Sequence, residues 1–272
     1  MGEIAAASGT QYLITKYSPD NKLITSVKIS RAPRKVLADG ESLYVLSGES
    51  DGILTVFDLS LTKSREIKVG HTPSDIAVIG KTAYVVNRFS SDISIVDIDK
   101  GTVRNAQTGR EPTCLAVSGE LLYIGCFLPE ENSLEEHISS DVVVFSTKTD
   151  KVSCIVDLVN GSKCISGISA SEDGKSVYVT HLVGRYTYPT TQLDRSWVNS
   201  NAFSVIDTKD NTATAFLLDD LEKGAGNPYD VELSKDGKTV YNCSPEEFAS
   251  FANPFVENGV RFIGGCCGTT PE

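Results

Sequence analysis

Residues Ala83 to Gly101 read Ala-Tyr-Val-Val-Asn-Arg-Phe-Ser-Ser-Asp-Ile-Ser-Ile-Val-Asp-Ile-Asp-Lys-Gly, and this stretch predicts a β-hairpin. Its first part, Tyr84 to Val86, is a run of β-branched and aromatic residues, which favours a strand. The polar segment from Asn87 to Asp92 suits a turn. The residues from Ile93 to Asp97 alternate along a second strand, and Gly101 supplies the left-handed backbone that a bulged exit turn needs.

The same hairpin recurs along the chain with a period of about 40 residues. Tyr44, Tyr84 and Tyr123 lie in equivalent first strands and are 40 and 39 residues apart. Further copies of the first strand lie at 177–179 and 240–241, and copies of the second lie at 56–58, 144–146 and 205–207. A third strand-like element follows a Gly…Pro turn in several of these units. A four-stranded repeat of this length predicts a propeller blade, because a small sheet buries its faces only against neighbouring copies.

The repeats predict an all-β fold, a β-propeller of about five four-stranded blades, within residues 1–241. Strand-like runs at 11–16 and 23–29 predict the outer pair of a first blade, and runs at 228–233 and 239–241 predict the inner pair of a last one. We expect these two halves to complete one blade and close the ring. Two long inserts, Phe127–Ser139 and Leu182–Ser200, separate the second and third strands of successive blades.

Bulk properties exclude several classes of protein. The chain has 272 residues, 40% of them hydrophobic, a net charge of −11 and a pI near 4.8. This balance disfavours nucleic acid and anionic membranes as partners, since both require a basic surface. The sequence has no apolar run of membrane-spanning length and no readable signal peptide; as written it suits the cytoplasm, and the compartment stays open. Four of the seven cysteines fall in strand-like runs and are expected to be reduced core residues: Cys114, Cys126, Cys154 and Cys164.

Short motifs carry a family resemblance over residues 11–241. The motifs Tyr84-Val-Val-Asn and Tyr178-Val-Thr-His, with the recurring Val-Ile-Asp, resemble those of the YVTN family of β-propeller repeat proteins. The insert that follows Tyr178 resembles one bacterial subgroup. The resemblance implies a binding or scaffold propeller, often exported, with no catalytic set to carry over. Members usually have seven blades and a signal peptide, so the chain is interpreted as an incomplete seven-blade propeller.

The pattern changes after Tyr241, and residues 242–272 form a second predicted unit. Ser244-Pro-Glu-Glu predicts a helix start, with a serine N-cap and two acids at the positive end of the helix dipole. An apolar face from Phe248 to Val256 continues the helix. Val260 to Ile263 then predicts a strand that leads into Gly-Gly-Cys-Cys-Gly-Thr-Thr-Pro-Glu at 264–272. We therefore expect a short helix-strand tail.

This tail resembles the end of the zinc-dependent homocysteine S-methyltransferases. The resemblance implies that Cys266 and Cys267 are two thiolate ligands of a zinc ion. Zinc is thus the one cofactor implied, and no cofactor is assigned firmly, because the family's third cysteine lies on an earlier barrel strand and a barrel needs about 250 residues. The hexapeptide at 236–241 resembles the one at 173–178 of the propeller repeat. By the resemblance, the same hexapeptide also precedes the tail motif in the methyltransferases. The join therefore predicts a chimeric open reading frame.

Strand direction predicts where a ligand binds. Antiparallel strands reverse at every turn, so both inserts and the turns between blades emerge on one side of the disc. His71, His181 and Arg110 fall on that side, with His137 in the first insert. The acids at 130–136 are interpreted as a solvated loop. The second insert is rich in aromatic and basic residues, which anchor interfaces, and is the predicted contact surface: Arg185, Tyr186, Tyr188, Arg195 and Trp197.

Three functions stay open on the sequence. The preferred one is a non-catalytic binding or scaffold propeller whose partner is a protein or a small molecule on the insert-bearing side. The second is homocysteine S-methyltransfer, which rests on the cysteine pair without its barrel. The third and weaker one is a lactonase-like propeller enzyme, for which the sequence shows no basic and acidic constellation.

Overall fold

The computed structural model describes residues 4–8, 12–18, 20, 22–62, 64–132, 134–185, 198–219, 227–231 and 233. All regular structure within these ranges is β-structure: nineteen strands form five antiparallel sheets. No helix in the described part of the chain is long and apolar enough to cross a membrane. The helix and strand expected after residue 242 lie outside the described residues, as does most of the second insert.

Each sheet is built from strands that are consecutive in sequence. The first sheet contains β1 (Ile4–Ser8), β2 (Leu13–Tyr17) and β3 (Leu23–Lys28). The second contains β4 (Pro33–Asp39), β5 (Ser42–Ser47), β6 (Ile53–Asp58) and β7 (Ser64–Lys68). The third contains β8 (Pro73–Ile79), β9 (Thr82–Asn87), β10 (Asp92–Asp97) and β11 (Val103–Gln107).

The fourth and fifth sheets have the same order with longer connections. The fourth contains β12 (Pro112–Ser118), β13 (Leu121–Cys126), β14 (Asp141–Ser146) and β15 (Lys151–Asp157). The fifth contains β16 (Ser162–Ala170), β17 (Ser176–Gly184), β18 (Asn199–Asp207) and β19 (Ala213–Leu217). Five sheets of this kind, in chain order, are the blades of a β-propeller, as the repeat predicts.

Burial explains why the middle strands are so apolar. Five of the six residues in β9 and in β10 are buried, whereas most of β11 is exposed. A strand in the middle of a blade is covered on both faces by neighbouring blades, so both of its faces are apolar. The outermost strand has solvent beside it and is mostly exposed. The sequence pattern of each blade follows from this gradient of burial.

The hydrophobic core lies between blades. Leu46 and Leu54 of the second blade pack with Val85 of the third. Leu122 of the fourth blade belongs to the same cluster as Tyr84 of the third. Each described blade therefore depends on its neighbours for burial, which is the physical reason for the repeat.

The first blade differs from the expectation. Its third strand comes from the N-terminal residues themselves, because β1 pairs with β2 from Ile4↔Tyr17 to Ser8↔Leu13. The prediction that this blade has only two strands before the C-terminal half joins it is therefore wrong. The run Ile4-Ala-Ala-Ala-Ser8 carries little β-propensity, so pairing with β2 and not local preference makes it a strand.

The predicted strand at 228–233 is not formed as regular structure in residues 227–231 and 233, and 239–241 lies outside the described residues. The backbone at Pro228 nevertheless occupies a defined place. A hydroxyl in the innermost strand of one blade donates to the start of the next: Ser74 Oγ to Pro112 O at 3.0 Å and Thr113 Oγ1 to Ile165 O at 2.8 Å. Ser166 Oγ donates to Pro228 O at 2.6 Å in the same way.

Pro228 thus lies where the innermost strand of a following blade begins. Gly167 shows how close this contact is, since a Cβ atom added there would lie 2.5 Å from Asp230 Cα. Only glycine fits this approach. Asp230 Oδ1 accepts a hydrogen bond from Val231 N at 2.8 Å, as Asp75 Oδ1 does from Ile76 N at 2.9 Å in the third blade.

Candidate binding face

Turns from neighbouring blades interlock on one side of the propeller. Arg88 N, after β9, donates to Thr72 O between the second and third blades at 3.0 Å. Phe127 N, after β13, donates to Glu111 O at 2.9 Å. Cys164 N donates to Phe127 O at 3.0 Å. The turns after second strands and the turns between blades therefore share one side, which we call the insert face.

A residue at the start of each of three innermost strands takes a left-handed backbone on this face: Thr72 and Glu111 precede β8 and β12, and Cys164 is the third residue of β16. Thr72, Glu111 and Cys164 have φ values of 53°, 53° and 57°. Such a conformation is uncommon for residues other than glycine. The interblade hydrogen bonds of these turns hold it, so it belongs to the architecture of the repeat and is not a mark of catalysis.

Arg88 lies at the centre of a group of aromatic and charged side chains on the insert face. Its guanidinium carbon lies 4.3 Å from the centre of the Phe127 ring and 5.2 Å from that of Phe89. Its Nε and Nη2 atoms both donate to Glu111 Oε2, at 3.0 and 2.9 Å. The arginine is thus fixed between two aromatic rings and a carboxylate from three different turns.

His71 extends this group. Its ring meets the Phe89 ring edge-on with centres 5.5 Å apart, and its Nδ1 lies 2.8 Å from Thr72 Oγ1. The Phe89 side chain is 56% exposed, a large apolar ring facing solvent. We call His71, Arg88, Phe89, Glu111 and Phe127 the aromatic-arginine cluster. Arg110 lies near it and donates from Nη1 to Pro129 O at 3.2 Å.

A small pocket of about 140 Å³ opens beside this cluster. Its wall is formed by the first insert at Pro129 and by the ends of β17 and β18 at Arg185 and Asn199. Lys163 and Arg185 place two cationic side chains on the wall. Arg185 N donates to Val198 O at 2.9 Å, which continues the pairing of β17 with β18 past their ends. Most of the accessible wall is apolar, and these two cations are the charged residues that line it.

The residues selected from sequence divide into three groups. His71, Arg110 and Arg185 lie on the insert face, close to the cluster or in the pocket wall. Tyr186, Tyr188, Arg195 and Trp197 lie outside the described residues, as do Cys266 and Cys267. His181 is placed elsewhere, and this expectation is corrected.

His181 is fully buried in β17 and is not part of a loop. The second insert is shorter than expected because β17 runs to Gly184 and β18 starts at Asn199. His181 Nε2 lies 2.8 Å from Ser204 Oγ and Nδ1 lies 3.3 Å from Leu182 O. Burial lowers the pKa of His181 below its usual value of 6.5. A buried neutral imidazole that is bonded inside the sheet is a core residue and not a contact for a partner.

Sequence reasoning missed Arg88, Phe89 and Phe127. Their signal was present, because Arg88-Phe89 is a basic-aromatic pair in a turn already assigned to the binding side. Nothing local shows that Phe127, 39 residues after Arg88, stacks on the same guanidinium.

An ion pair links the innermost strands. Lys35 Nζ of β4 lies 3.2 Å from Asp75 Oδ1 of β8, and Asp75 Oδ2 accepts from Leu115 N of β12 at 3.0 Å. Burial raises the pKa of Asp75, and the Lys35 charge and the two backbone donors oppose this rise. One carboxylate therefore joins three blades, which is a structural role.

The described cysteines are free, and Cys114 and Cys126 are buried. Burial raises the pKa of Cys114 to about 12 and also raises that of Cys126. Both thiols are protonated at neutral pH and fill the core, as expected from the sequence. Cys154 and Cys164 are only partly buried.

Three carboxylates meet where the first insert returns to the fourth blade. Oxygen atoms of Glu131, Asp141 and Asp157 all lie within 4.8 Å of one another. Burial raises the pKa of Asp141 to about 7, with further contributions from the charges of Glu131 and Asp157. The interpretation of this acidic stretch as a solvated loop is therefore wrong for Glu131, whose Oε2 atom is buried.

Comparison with solved structures shows the class of fold. The chain superposes on hydrazine synthase of Kuenenia stuttgartiensis with a TM-score of 0.76 and 24% identity, covering 87% of this chain and 68% of that one. U3-55K gives a TM-score of 0.61 at 11% identity and 86% coverage of this chain (68% of its own). A functionally unknown protein from Desulfotomaculum acetoxidans gives 0.57 at 12% identity, with 87% and 71% coverage. These likenesses show a propeller fold and nothing beyond it.

Sequence comparison gives two partial matches. The chain is 31% identical to hydrazine synthase subunit beta of Kuenenia stuttgartiensis over 85 residues, which are 31% of this chain and 22% of that protein. The match thus spans about a fifth of the curated relative. Residues 221–272 match the homocysteine S-methyltransferase family. That match begins 21 residues before the boundary at 242 that the motifs indicate.

Proposed function

We propose that this chain is a non-catalytic binding or scaffold propeller of the YVTN type, whose insert face docks a partner protein. The aromatic-arginine cluster is the observation that carries the proposal. Arginine and aromatic side chains dominate the binding energy of protein interfaces. Here the Glu111 carboxylate and the Phe127 ring hold Arg88 in place, while the Phe89 ring lies more than half exposed beside it.

A pre-ordered anchor of this kind favours binding because little side-chain freedom remains to be lost. The pocket at Lys163 and Arg185 lies next to the cluster and supplies two positive charges on a chain whose net charge is −11. An acidic side chain of a partner fits the pocket, and a small carboxylate ligand is the alternative occupant.

The sequence relative supports a scaffold role. That relative is a subunit of hydrazine synthase, so it is one part of an enzyme. We infer that this chain also serves as a subunit, with the chemistry carried by another protein.

The test is cross-linking of the tagged chain in the cells that encode it, followed by identification of the linked peptides. Phe89→Ala combined with Arg185→Ala is expected to lower recovery of the partner by about tenfold, since loss of interface anchors costs more than about 1 kcal/mol each. Lys81→Ala is the control: Lys81 is an exposed residue in the turn between β8 and β9, on the opposite side. A partner recovered equally with the double variant and with wild type overturns the proposal.

A small-molecule occupant is tested through Trp197, the single tryptophan of the chain. Its fluorescence is expected to change when a ligand binds the insert face. Replacing both Arg185 and Tyr188 with alanine is expected to abolish that change without altering the circular dichroism spectrum. A ligand that binds this double variant with full affinity places the site elsewhere.

Homocysteine S-methyltransfer is the second candidate, and the family match at 221–272 favours it. The zinc that this chemistry needs has three protein ligands at least. In the described part of the chain the single group of three metal-binding side chains is all carboxylate, and no cysteine belongs to it. By the resemblance, the family's third cysteine lies on an earlier barrel strand, and a barrel needs about 250 residues, far more than the match at 221–272 supplies.

Incubation with homocysteine and a methyl donor separates the two functions. The scaffold proposal expects no methionine above the level of a Cys266→Ser variant. Methionine formation that depends on Cys266 and on zinc overturns it. Our further proposal, that two reading frames were joined near codons 236–243, is tested by single-molecule sequencing of the source DNA; uninterrupted reads through the join contradict it.

A further inference from the structure

Asp92 and Asp141 occupy the same position in two consecutive blades. Each is the first residue of the third strand, β10 or β14. In the third blade the Asp92 carboxylate is buried, and both of its oxygens accept hydrogen bonds from neutral donors. Asn87 Nδ2 and Ser90 Oγ reach its Oδ1 at 2.8 and 2.9 Å, and Asn105 Nδ2 reaches its Oδ2 at 3.1 Å.

Asp141 is also buried, with 3% of its surface exposed. The hydrogen bonds that Asp92 accepts from amides and a hydroxyl have no equivalents at Asp141 in the ranges that the structure describes. Its Oδ1 atom has no hydrogen-bond partner among the described residues. Cys126, the last residue of β13, stands where the third blade has Asn87, the last residue of β9. Across the strand pair, Asp157 faces Asp141 where Gln107 faces Asp92. Acids and a thiol have thus replaced amides around a buried carboxylate.

Glu131 completes the group from the first insert. Its Oε2 atom is also buried without a partner in the described part of the structure. Three carboxylates so close together repel one another, and burying them without donors or a counter-charge is costly. A cation with oxygen ligands removes the repulsion among the carboxylates and supplies the missing counter-charge.

We propose that Glu131, Asp141 and Asp157 bind one calcium ion, which fastens the first insert to the fourth blade. Calcium takes oxygen ligands at 2.3–2.6 Å, so two oxygens on one ion lie at most about 5 Å apart. The oxygens here lie within 4.8 Å of one another. Magnesium demands near-ideal octahedral geometry and usually keeps several waters, so it favours one or two carboxylates over a site built from three protein side chains. Zinc favours nitrogen and sulfur ligands, which this group lacks.

The ion joins three separate segments of the fourth blade and its insert. Glu131 belongs to the insert, whereas Asp141 begins β14 and Asp157 ends β15. The insert also carries Phe127 and Pro129 on the insert face. Calcium therefore orders one wall of that face; this consequence for partner binding rests on the proposed function, but the site itself does not.

Calorimetric titration of the full chain with calcium chloride tests the site. One ion per chain is expected, and a calcium concentration 100 times Kd is expected to raise Tm by about 5 °C. Asp157→Asn, a change at an exposed position, is expected to weaken calcium binding about tenfold or more, because each carboxylate adds charge and ligands. Asp173→Asn is the control that removes the same charge from a distant exposed turn, and it is expected to bind as wild type.

Asp141→Asn separates a cation site from a merely acidic cluster. It removes the repulsion, so the calcium-free variant is expected to melt at or above the temperature of calcium-free wild type, yet to show no response to calcium. Amide hydrogen exchange in the first insert is expected to slow with calcium in wild type alone. Absence of any calcium-dependent change in Tm and heat at millimolar calcium, or an undiminished response in Asp141→Asn and Asp157→Asn, overturns the proposal.

Discussion

Nε2 of His181 lies 2.8 Å from Ser204 Oγ inside the fifth blade, the same contact that Asn87 Nδ2 makes with Ser94 Oγ at 2.9 Å in the third. His181 and Asn87 are both fully buried. At the position of Asn87 and His181, a polar side chain therefore bridges the second and third strands of the blade. Either an amide or an imidazole can make this hydrogen bond.

Stability is therefore expected to depend on pH through His181. Burial lowers its pKa, so the unfolded chain binds a proton more readily than the folded one. The stabilising contribution is complete above pH 6.5 and is lost as pH falls from there towards the lower, folded-state pKa. His181→Asn keeps a donor for Ser204 without a titrating group. Urea unfolding between pH 7.5 and 5 is expected to show a weaker pH dependence in this variant; an unchanged dependence assigns the effect to other groups.

The contact between the first and second blades is expected to stabilise the whole propeller. Ile14 is fully buried in a cluster with Leu43, Val45 and Phe57 of the second blade. Ile14→Ala is expected to cost about 3 kcal/mol in the free energy of unfolding, the usual range for a buried residue of this size. Ile24→Ala in the neighbouring strand is the matched control, since Ile24 is 49% exposed. Equal effects of the two changes, measured by urea unfolding, contradict the packing.

Removal of Lys35 is expected to weaken the link among the second, third and fourth blades. Lys35→Met leaves the buried Asp75 carboxylate without its counter-charge, and we expect a loss of about 2 kcal/mol, below the cost for a fully buried pair because Lys35 is partly exposed. Asp75→Asn added to Lys35→Met is expected to recover part of the loss. A double-mutant cycle measures the coupling, and additive effects contradict it.

Gly167→Ala tests whether residues 227–231 pack against the innermost strand of the fifth blade. The new methyl group meets Asp230 Cα at 2.5 Å, so this segment is expected to leave the fifth blade while the five sheets remain. Amide exchange at Val231 is expected to quicken in the variant, with little change in β17. Unchanged protection at Val231 contradicts the contact. A Ser166→Ala variant, which loses only the bond to Pro228 O, is expected to show a smaller effect.

Much of the fold was predictable because each blade repeats one local pattern. Pro73 and Pro112 begin β8 and β12, as the Gly…Pro turns predict. The strand β1 was not predictable, since the pairing partner and not the alanine-rich run decides its structure. Of the residues that loop position selected for the candidate site, His71, Arg110 and Arg185 lie on the insert face, and their role in binding stays a prediction. The same reasoning failed for His181, because β17 extends through it to Gly184.

The sequence by itself determined the period, the blade boundaries and the side on which the turns meet, since these depend on strand alternation and turn chemistry within some 40 residues. Only the tertiary structure decided which turns touch. Arg88 and Phe127 are neighbours because adjacent blades align their turns, and Glu131 reaches Asp141 and Asp157 because the insert folds back over its own blade. Such contacts depend on interblade register, which no local pattern encodes.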